Sequence, residues 1–278
     1  RSITATDTIS PSLTGSANTT VKLQNLLGDQ NQDGSSDIYW RNYVTGANAV
    51  WLMNGTAFSS IVNLPGIGNT SYRLSGIADF NADGEPDVLW RNASTGANAL
   101  WLMHGASITS VVNLPSLVNP DYTIGGTGDF NRDGNPDILW RNPVTGANAL
   151  WLMNGTSFSS VVNLPALANP DYHMEGSADF AGNGTPAIVW RNWVNGANAL
   201  WIFVGTSYYS VVNLPTLANT DYHVGAVADY NGDGKPDIVW RNQVNGNSAI
   251  WTMSGTAITG VVNIPGLTNV SYEMGGPK

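Results

Sequence analysis

Residues 129–142 read Asp-Phe-Asn-Arg-Asp-Gly-Asn-Pro-Asp-Ile-Leu-Trp-Arg-Asn. The last three, Trp-Arg-Asn, begin again at Trp40, Trp90, Trp140, Trp190 and Trp240, a spacing of 50 residues each time. A second tryptophan follows each of these, at Trp51, Trp101, Trp151, Trp201 and Trp251, and a proline recurs at Pro65, Pro115, Pro165, Pro215 and Pro265. Register held through five copies is a repeat architecture, and a period of this length means a solenoid, a propeller or an array.

The content of one unit separates these. Residues 122–130, 137–140, 149–153 and 160–164 are short runs rich in branched, aromatic and glycine residues, divided by Gly, Asn, Asp and Pro clusters. These are strand and turn signals. No stretch carries an apolar stripe of 3.6-residue period long enough for a helix. Four short strands per unit match one propeller blade. The expected fold is all-β: a five-bladed β-propeller of four-stranded antiparallel blades in one domain. Its units span approximately 20–69, 70–119, 120–169, 170–219 and 220–269. Residues 2–13 resemble a fourth-strand segment and residues 271–276 a first-strand segment, so both terminal strands are expected to help close the ring. Alternation on a strand puts Ile38 and Trp40 on one face and Tyr39 and Arg41 on the other. Stacked blades bury both faces, and large aromatics fill the wedge between neighbours.

Within the unit, residues 129–137 form Asp-x-Asn-x-Asp-Gly-x-x-Asp, which recurs at 29–37, 79–87 and 229–237. Calcium takes six to eight oxygen ligands. Side chains at positions 1, 3, 5 and 9 converge if the chain turns sharply at position 6, where glycine carries no Cβ penalty. The candidate ligands are Asp29, Asn31, Asp33, Ser35 and Asp37; Asp79, Asn81, Asp83, Glu85 and Asp87; Asp129, Asn131, Asp133, Asn135 and Asp137; and Asp229, Asn231, Asp233, Lys235 and Asp237. The seventh position offers its backbone carbonyl, which explains why Glu85 and Lys235 share one slot. No Glu stands at position 12 and no helix flanks the loop, so it is not an EF-hand. Three carboxylates in nine residues repel one another unless a cation lies between them. About four Ca²⁺ are expected, and they would move the formal charge from -9 to -1. The fourth copy reads Asp179, Ala181, Asn183, Gly184, Ala187 and is expected to bind weakly or not at all.

Composition excludes several classes. Eleven Lys and Arg against 20 Asp and Glu leave no basic patch for nucleic acid. No apolar run is long enough to span a membrane. Cysteine is absent, so disulfides and thiol chemistry are excluded. Arg1 is no initiator Met, and a mature or trimmed product is expected. The surface is poor in charge and rich in Asn, Ser and Thr, which suits carbohydrate better than polyanions.

These loops, with the lead Gly126-Thr127-Gly128-Asp129-Phe130-Asn131, resemble the FG-GAP/VCBS repeats over about residues 20–276. The resemblance implies a calcium-bearing β-propeller like the integrin α-subunit head and some fungal and bacterial lectins. It implies calcium ligands in the four intact loops and none at Ala181 or Ala187. It also implies a secreted or cell-surface protein with glycans or extracellular proteins as partners. The usual blade count is seven, against five here.

Three functions stay open at this point: a multivalent glycan-binding lectin, an adhesion module of a larger secreted protein, and a polysaccharide hydrolase or lyase with dispersed catalytic residues. No catalytic motif is present, so a non-enzyme is expected. Recurrent Arg41, Arg91, Arg141, Arg191 and Arg241 are candidate ligand contacts beside their tryptophans, or else structural caps. Trp193, Tyr208 and Tyr209 depart from the repeat in the fourth unit and form a second candidate patch.

Overall fold

The computed structural model describes residues 3–6, 14–17 and 27–277. Five four-stranded antiparallel sheets stand around a centre. From the inside outwards, blade 1 holds Tyr272–Gly276, Ile38–Asn42, Asn48–Asn54 and Ala57–Leu64, and blade 2 holds Tyr72–Ala78, Asp87–Asn92, Asn98–His104 and Ser107–Leu114. Blade 3 comprises Thr123–Gly128, Asp137–Arg141, Asn148–Asn154 and Ser157–Leu164. Blade 4 is Tyr172–Ala178, Ala187–Asn192, Asn198–Val204 and Ser207–Leu214, and blade 5 is Tyr222–Ala228, Asp237–Asn242, Ser248–Ser254 and Ala257–Ile264. The first strands of successive blades neighbour one another in a closed circle, so they are the innermost.

The circle is closed by the C-terminal strand. Tyr272–Gly276 pairs with Ile38–Asn42 and completes blade 1. The N-terminal segment does not fill a fourth-strand place: Ile3–Thr6 pairs with Thr14–Ala17 in a separate two-stranded sheet, and residues 7–13 lie outside the described residues. Blade 1 has its four strands without Ile3–Thr6.

Five hydrophobic cores lie between blades rather than within them. Ile38 and Trp40 pack with Val239 and Ile250 of blade 5, whereas Tyr39 packs with Val88 and Trp90 of blade 2. Alternation along a single strand therefore serves two cores. Trp40, Trp90, Trp140, Trp190 and Trp240 are each 1% exposed. Each meets the second tryptophan of its own unit in a tilted pair, at 4.7–4.9 Å between centroids.

The recurrent arginines tie blade to blade. The guanidinium of Arg41 lies over Trp90, that of Arg91 over Trp140, Arg141 over Trp190, Arg191 over Trp240, and Arg241 over Trp40. Arg41 also donates to the carbonyls of Gly46, Ile67, Asn69 and Tyr72, and to Asn48 Oδ1. The Ile67 and Asn69 carbonyls belong to the link that leads into blade 2, Tyr72 to that blade's first strand and Gly46 to a turn of blade 1, so one side chain fixes the crossing. At Gly46 (φ 77°) an added Cβ would stand 2.0 Å from the Ile67 carbonyl oxygen, and only glycine fits so close an approach.

Candidate functional site

The intact loops join the first and second strands of their blades at one end of the barrel of inner strands. In blade 1 the Asp29 carboxylate accepts the amides of Asp33 and Gly34, and Asp33 accepts the Ser35 amide and the Asn31 side chain. Gly34 has φ 91°, the sharp turn expected at position 6. Asp37 is wholly buried and accepts the amides of Gln30 and Met53, so it pins the loop to the third strand. Asp87, Asp137 and Asp237 do the same with Met103, Met153 and Met253.

Burial, reinforced by the charges of Asp29 and Asp33, pushes the Asp37 carboxyl up to about 7. Burial likewise raises Asp87, Asp137 and Asp237 to about 6. Among the described residues no Lys or Arg forms an ion pair with Asp29, Asp33 or Asp37. The loop thus gathers negative charge that no side chain compensates, with oxygen donors alone, a set that suits a hard cation such as Ca²⁺. As they stand, no three acidic or imidazole groups among the described residues meet at metal-holding distance, because each carboxylate accepts loop amides. The seventh side chain reaches out of the loop, although Asn135 Nδ2 also donates back to Asp133 Oδ1. Ser35 Oγ, Glu85 and Asn135 Oδ1 accept the amides of Gly55, Gly105 and Gly155, and Lys235 Nζ donates to Ser254. Glu85 also meets His104 Nδ1 at 2.7 Å.

The degenerate fourth loop keeps the turn without the carboxylate at its base. Asp179 still accepts the amides of Asn183 and Gly184. Ala187 cannot bond the third strand, and Asn183 Nδ2 donates to the Phe203 carbonyl instead. Loop residues from blades 1, 3, 4 and 5, among them Gly34, Asp129, Asp179 and Asp229, line a central depression of about 1250 Å³.

The arginine candidates do not face a ligand. Arg41, Arg91, Arg141, Arg191 and Arg241 are 0–3% exposed, because the next blade covers each guanidinium with a tryptophan and loop carbonyls. The patch expected in unit 4 is also divided. Trp193 follows the second strand of blade 4, at the end of the barrel opposite the acidic loops. Tyr208 and Tyr209 begin the outermost strand at the acidic-loop end, where Tyr208 packs edge-on against Trp201 and Tyr209 is 73% exposed.

Trp193 belongs to a different constellation. Its indole is stacked between His173 of its own blade (3.4 Å, 10°) and His223 of blade 5 (4.2 Å, 19°). Both faces of the ring are therefore covered. Its Nε1 donates to Glu175 Oε1 at 2.7 Å. Every inner strand carries a bulge at this level, where the extra residue is Ser75, Gly125, Glu175, Gly225 or Gly275. A Cβ at Gly125, Gly225 or Gly275 would strike Met174, Met274 or Leu74 of the following blade. The residue following Glu175 in the ring is the shorter, branched Val224, and that of Ser75 is Ile124. The bulge re-aims the side chain, and the neighbour's shape decides whether there is room for one. The same level holds a second aromatic wedge: Arg73 lies over the Tyr43 ring at 4.3 Å, and the Tyr43 oxygen accepts the Leu74 amide. Burial, then the nearby charge of Glu273, pushes Tyr43 up to about 12.

Going round this mouth, the inner strands carry Arg73, Thr123, His173, His223 and Glu273 near their starts, flanked by Tyr43, Ala93, Pro143, Trp193 and Gln243. Five units that agree at Trp-Arg-Asn carry four residue types at the first of these positions, where only His repeats, and five at the second. Sequence reading noted Trp193 but missed Arg73, Glu175 and Glu273. The signal was present as non-identity at fixed register, once it is known that these positions share one rim.

The FG-GAP-like repeat family matches residues 29–90 and 79–140, and the FG-GAP repeat matches residues 222–253. The chain belongs to the FG-GAP repeat β-propellers. Family and fold mark this FG-GAP propeller as a binding module. No curated protein sequence matches it. A chain in the nidogen/laminin complex shares its fold at 11% identity and a TM-score of 0.50, with 86% of this chain and 96% of that chain covered. The Photorhabdus luminescens Tc holotoxin pore aligns at 12% identity and a TM-score of 0.45, over 95% of this propeller, which spans 12% of that chain's length. An auxiliary nutrient binding protein from Bacteroides thetaiotaomicron aligns at 10% identity and a TM-score of 0.46, over 91% of this propeller and 68% of that chain. At such identities the likeness is one of fold.

Proposed function

We propose that this FG-GAP propeller is a calcium-stabilised extracellular binding module that takes a carbohydrate at the mouth of its inner barrel, opposite the metal loops. Calcium would be held by the four intact loops through Asp29, Asn31, Asp33 and Asp37 and their counterparts, with the seventh carbonyl. Bound there, the ion would supply the positive charge the loop lacks and fasten the first and second strands of blades 1, 2, 3 and 5. The chain's own residues do the rest: Asp37 pins its loop to Met53, and the Arg–Trp contacts keep the blades in register.

One observation carries the ligand site. The five units are near-identical in scaffold residues and differ at the mouth, so the mouth has one composition rather than five equivalent pockets. Arg73, Thr123, His223, Gln243 and Glu273 offer donors and acceptors of several kinds around one rim, the mixture that sugar hydroxyls use. This replaces multivalency through the buried arginines with a single site. The test is a glycan array probed in calcium with the wild-type chain, Arg73→Ala and Glu273→Gln. Binding lost in both variants, and a 1:1 ratio by calorimetry for the captured glycan, is the expected result. Binding unaffected by both variants, or five ligands per chain, would contradict the mouth site.

A further inference from the structure

The residue at loop position 4 is Gln32, Ala82, Arg132, Gly182 or Gly232 in the five units. The one arginine among them sits in the loop immediately before the degenerate one. Its guanidinium crosses to blade 4, donating from Nε to Thr185 Oγ1 at 2.8 Å and from Nη2 to the Asn183 carbonyl at 2.5 Å. Thr185 is 1% exposed, and its hydroxyl in turn accepts the Gly205 amide at 3.1 Å. The contact thus continues from the third loop through the fourth loop to the hairpin between the third and fourth strands of blade 4.

The chemistry fits the loss in that loop. Ala181 and Ala187 remove two side-chain ligands, Asn183 replaces a carboxylate, and the remaining acid is Asp179. A loop with one carboxylate has neither the ligands nor the charge for a divalent ion. The Arg132 guanidinium grips the loop from outside the ion position, through the Asn183 backbone carbonyl and the Thr185 hydroxyl, with two directed N–H groups that a lysine's point charge cannot reproduce.

We propose that Arg132 is a built-in substitute for calcium: it clamps the fourth loop from the third, so that blade 4 stays fastened when metal is withdrawn. The inference rests on the calcium reading of the four intact loops. It also makes the third loop a coupling element, because the third loop's turn places Arg132, which has φ 63°.

Hydrogen exchange read by mass spectrometry tests this on the full chain, as wild type, Arg132→Gln and the equivalent control Gln32→Ala, in calcium and in EDTA. In wild type, EDTA is expected to speed exchange in peptides covering 29–37, 79–87 and 229–237 while the peptide covering 179–187 changes least. Arg132→Gln is expected to speed exchange in 179–187 on the order of tenfold with calcium present, the scale of losing charge-assisted hydrogen bonds; Gln32→Ala leaves it unchanged. Unaltered protection of 179–187 in Arg132→Gln would overturn the proposal, as would EDTA loosening the fourth loop as much as the intact ones. If EDTA changes no loop and Arg132→Gln still releases the fourth, the clamp stands and the calcium reading falls.

Discussion

The guanidinium carbon of Arg241 lies 4.7 Å from the ring centroid of Trp40, and residues near opposite ends of the sequence are thereby stacked in one ring closure. Arg241 also donates to the carbonyls of Gly246, Leu267 and Asn269, and among the described residues it forms no ion pair. Burial lowers its pKa to about 10. A cation bonded to carbonyls and a π face, with the Glu273 charge nearby, loses part of its compensation if either partner goes. Trp40→Ala is expected to cost about 3–5 kcal/mol through the cavity alone. Arg241→Lys keeps the charge but not the fork, and should also lower the melting temperature. Thermal melts followed by tryptophan fluorescence check both.

Removal of residues 271–278 should open the ring. Tyr272–Gly276 is the innermost strand of blade 1, and without it Ile38–Asn42 presents a bare, fully buried-type edge. Exposed apolar edges template association. The expected outcome is a truncated chain that elutes as aggregate in size-exclusion chromatography. A monodisperse truncated chain with an unchanged melt would contradict this account of closure.

His173 gives a pH dependence with a defined sign. Burial first, then the charge of Arg141, lowers its pKa from 6.5 to about 4, with Asp171 opposing. Between these values the unfolded chain binds the proton and the folded chain does not, so this residue makes stability fall as pH drops from 6.5 to 4. His173→Asn removes that contribution. Its melting temperature should therefore fall less than that of the wild type between pH 7 and pH 4.5, in differential scanning fluorimetry at both values.

The repeat period, the strand count and the loop motif were legible because each is local: spacing, alternation and turn residues need no knowledge of neighbours. Arg41 shows where this stops. Its recurrence beside Trp40 was plain, but the tryptophan it covers is Trp90, in the next blade, and burial follows from that contact. Trp193 and Tyr209 shared one unit and were grouped for that reason, although the up-and-down course of the strands sends them to opposite ends of blade 4. Arg73 and Glu273 are 200 residues apart and become neighbours on the rim when the C-terminal strand enters blade 1. Closure is a long-range event, and no window of sequence contains it.

Glu175 should be tolerated because Val224 follows it in the ring. Val224→Met restores the residue type that packs against glycine at the equivalent bulges of blades 3 and 5, and it should crowd the carboxylate. The expected cost is about 1–3 kcal/mol of overpacking, relieved in the double variant with Glu175→Gly. Urea unfolding of the two single variants and the double variant supplies the cycle, and additive losses would contradict the packing argument.

The calcium count tests the central claim most directly. Elemental mass spectrometry of the chain, equilibrated with calcium and freed of unbound ion, should give four Ca²⁺ per chain, falling to three in Asp83→Ala and staying at four in Asp179→Ala. A count of zero, or a loss of one ion in Asp179→Ala, would contradict the account of four metal-bearing loops and a fourth blade that does without.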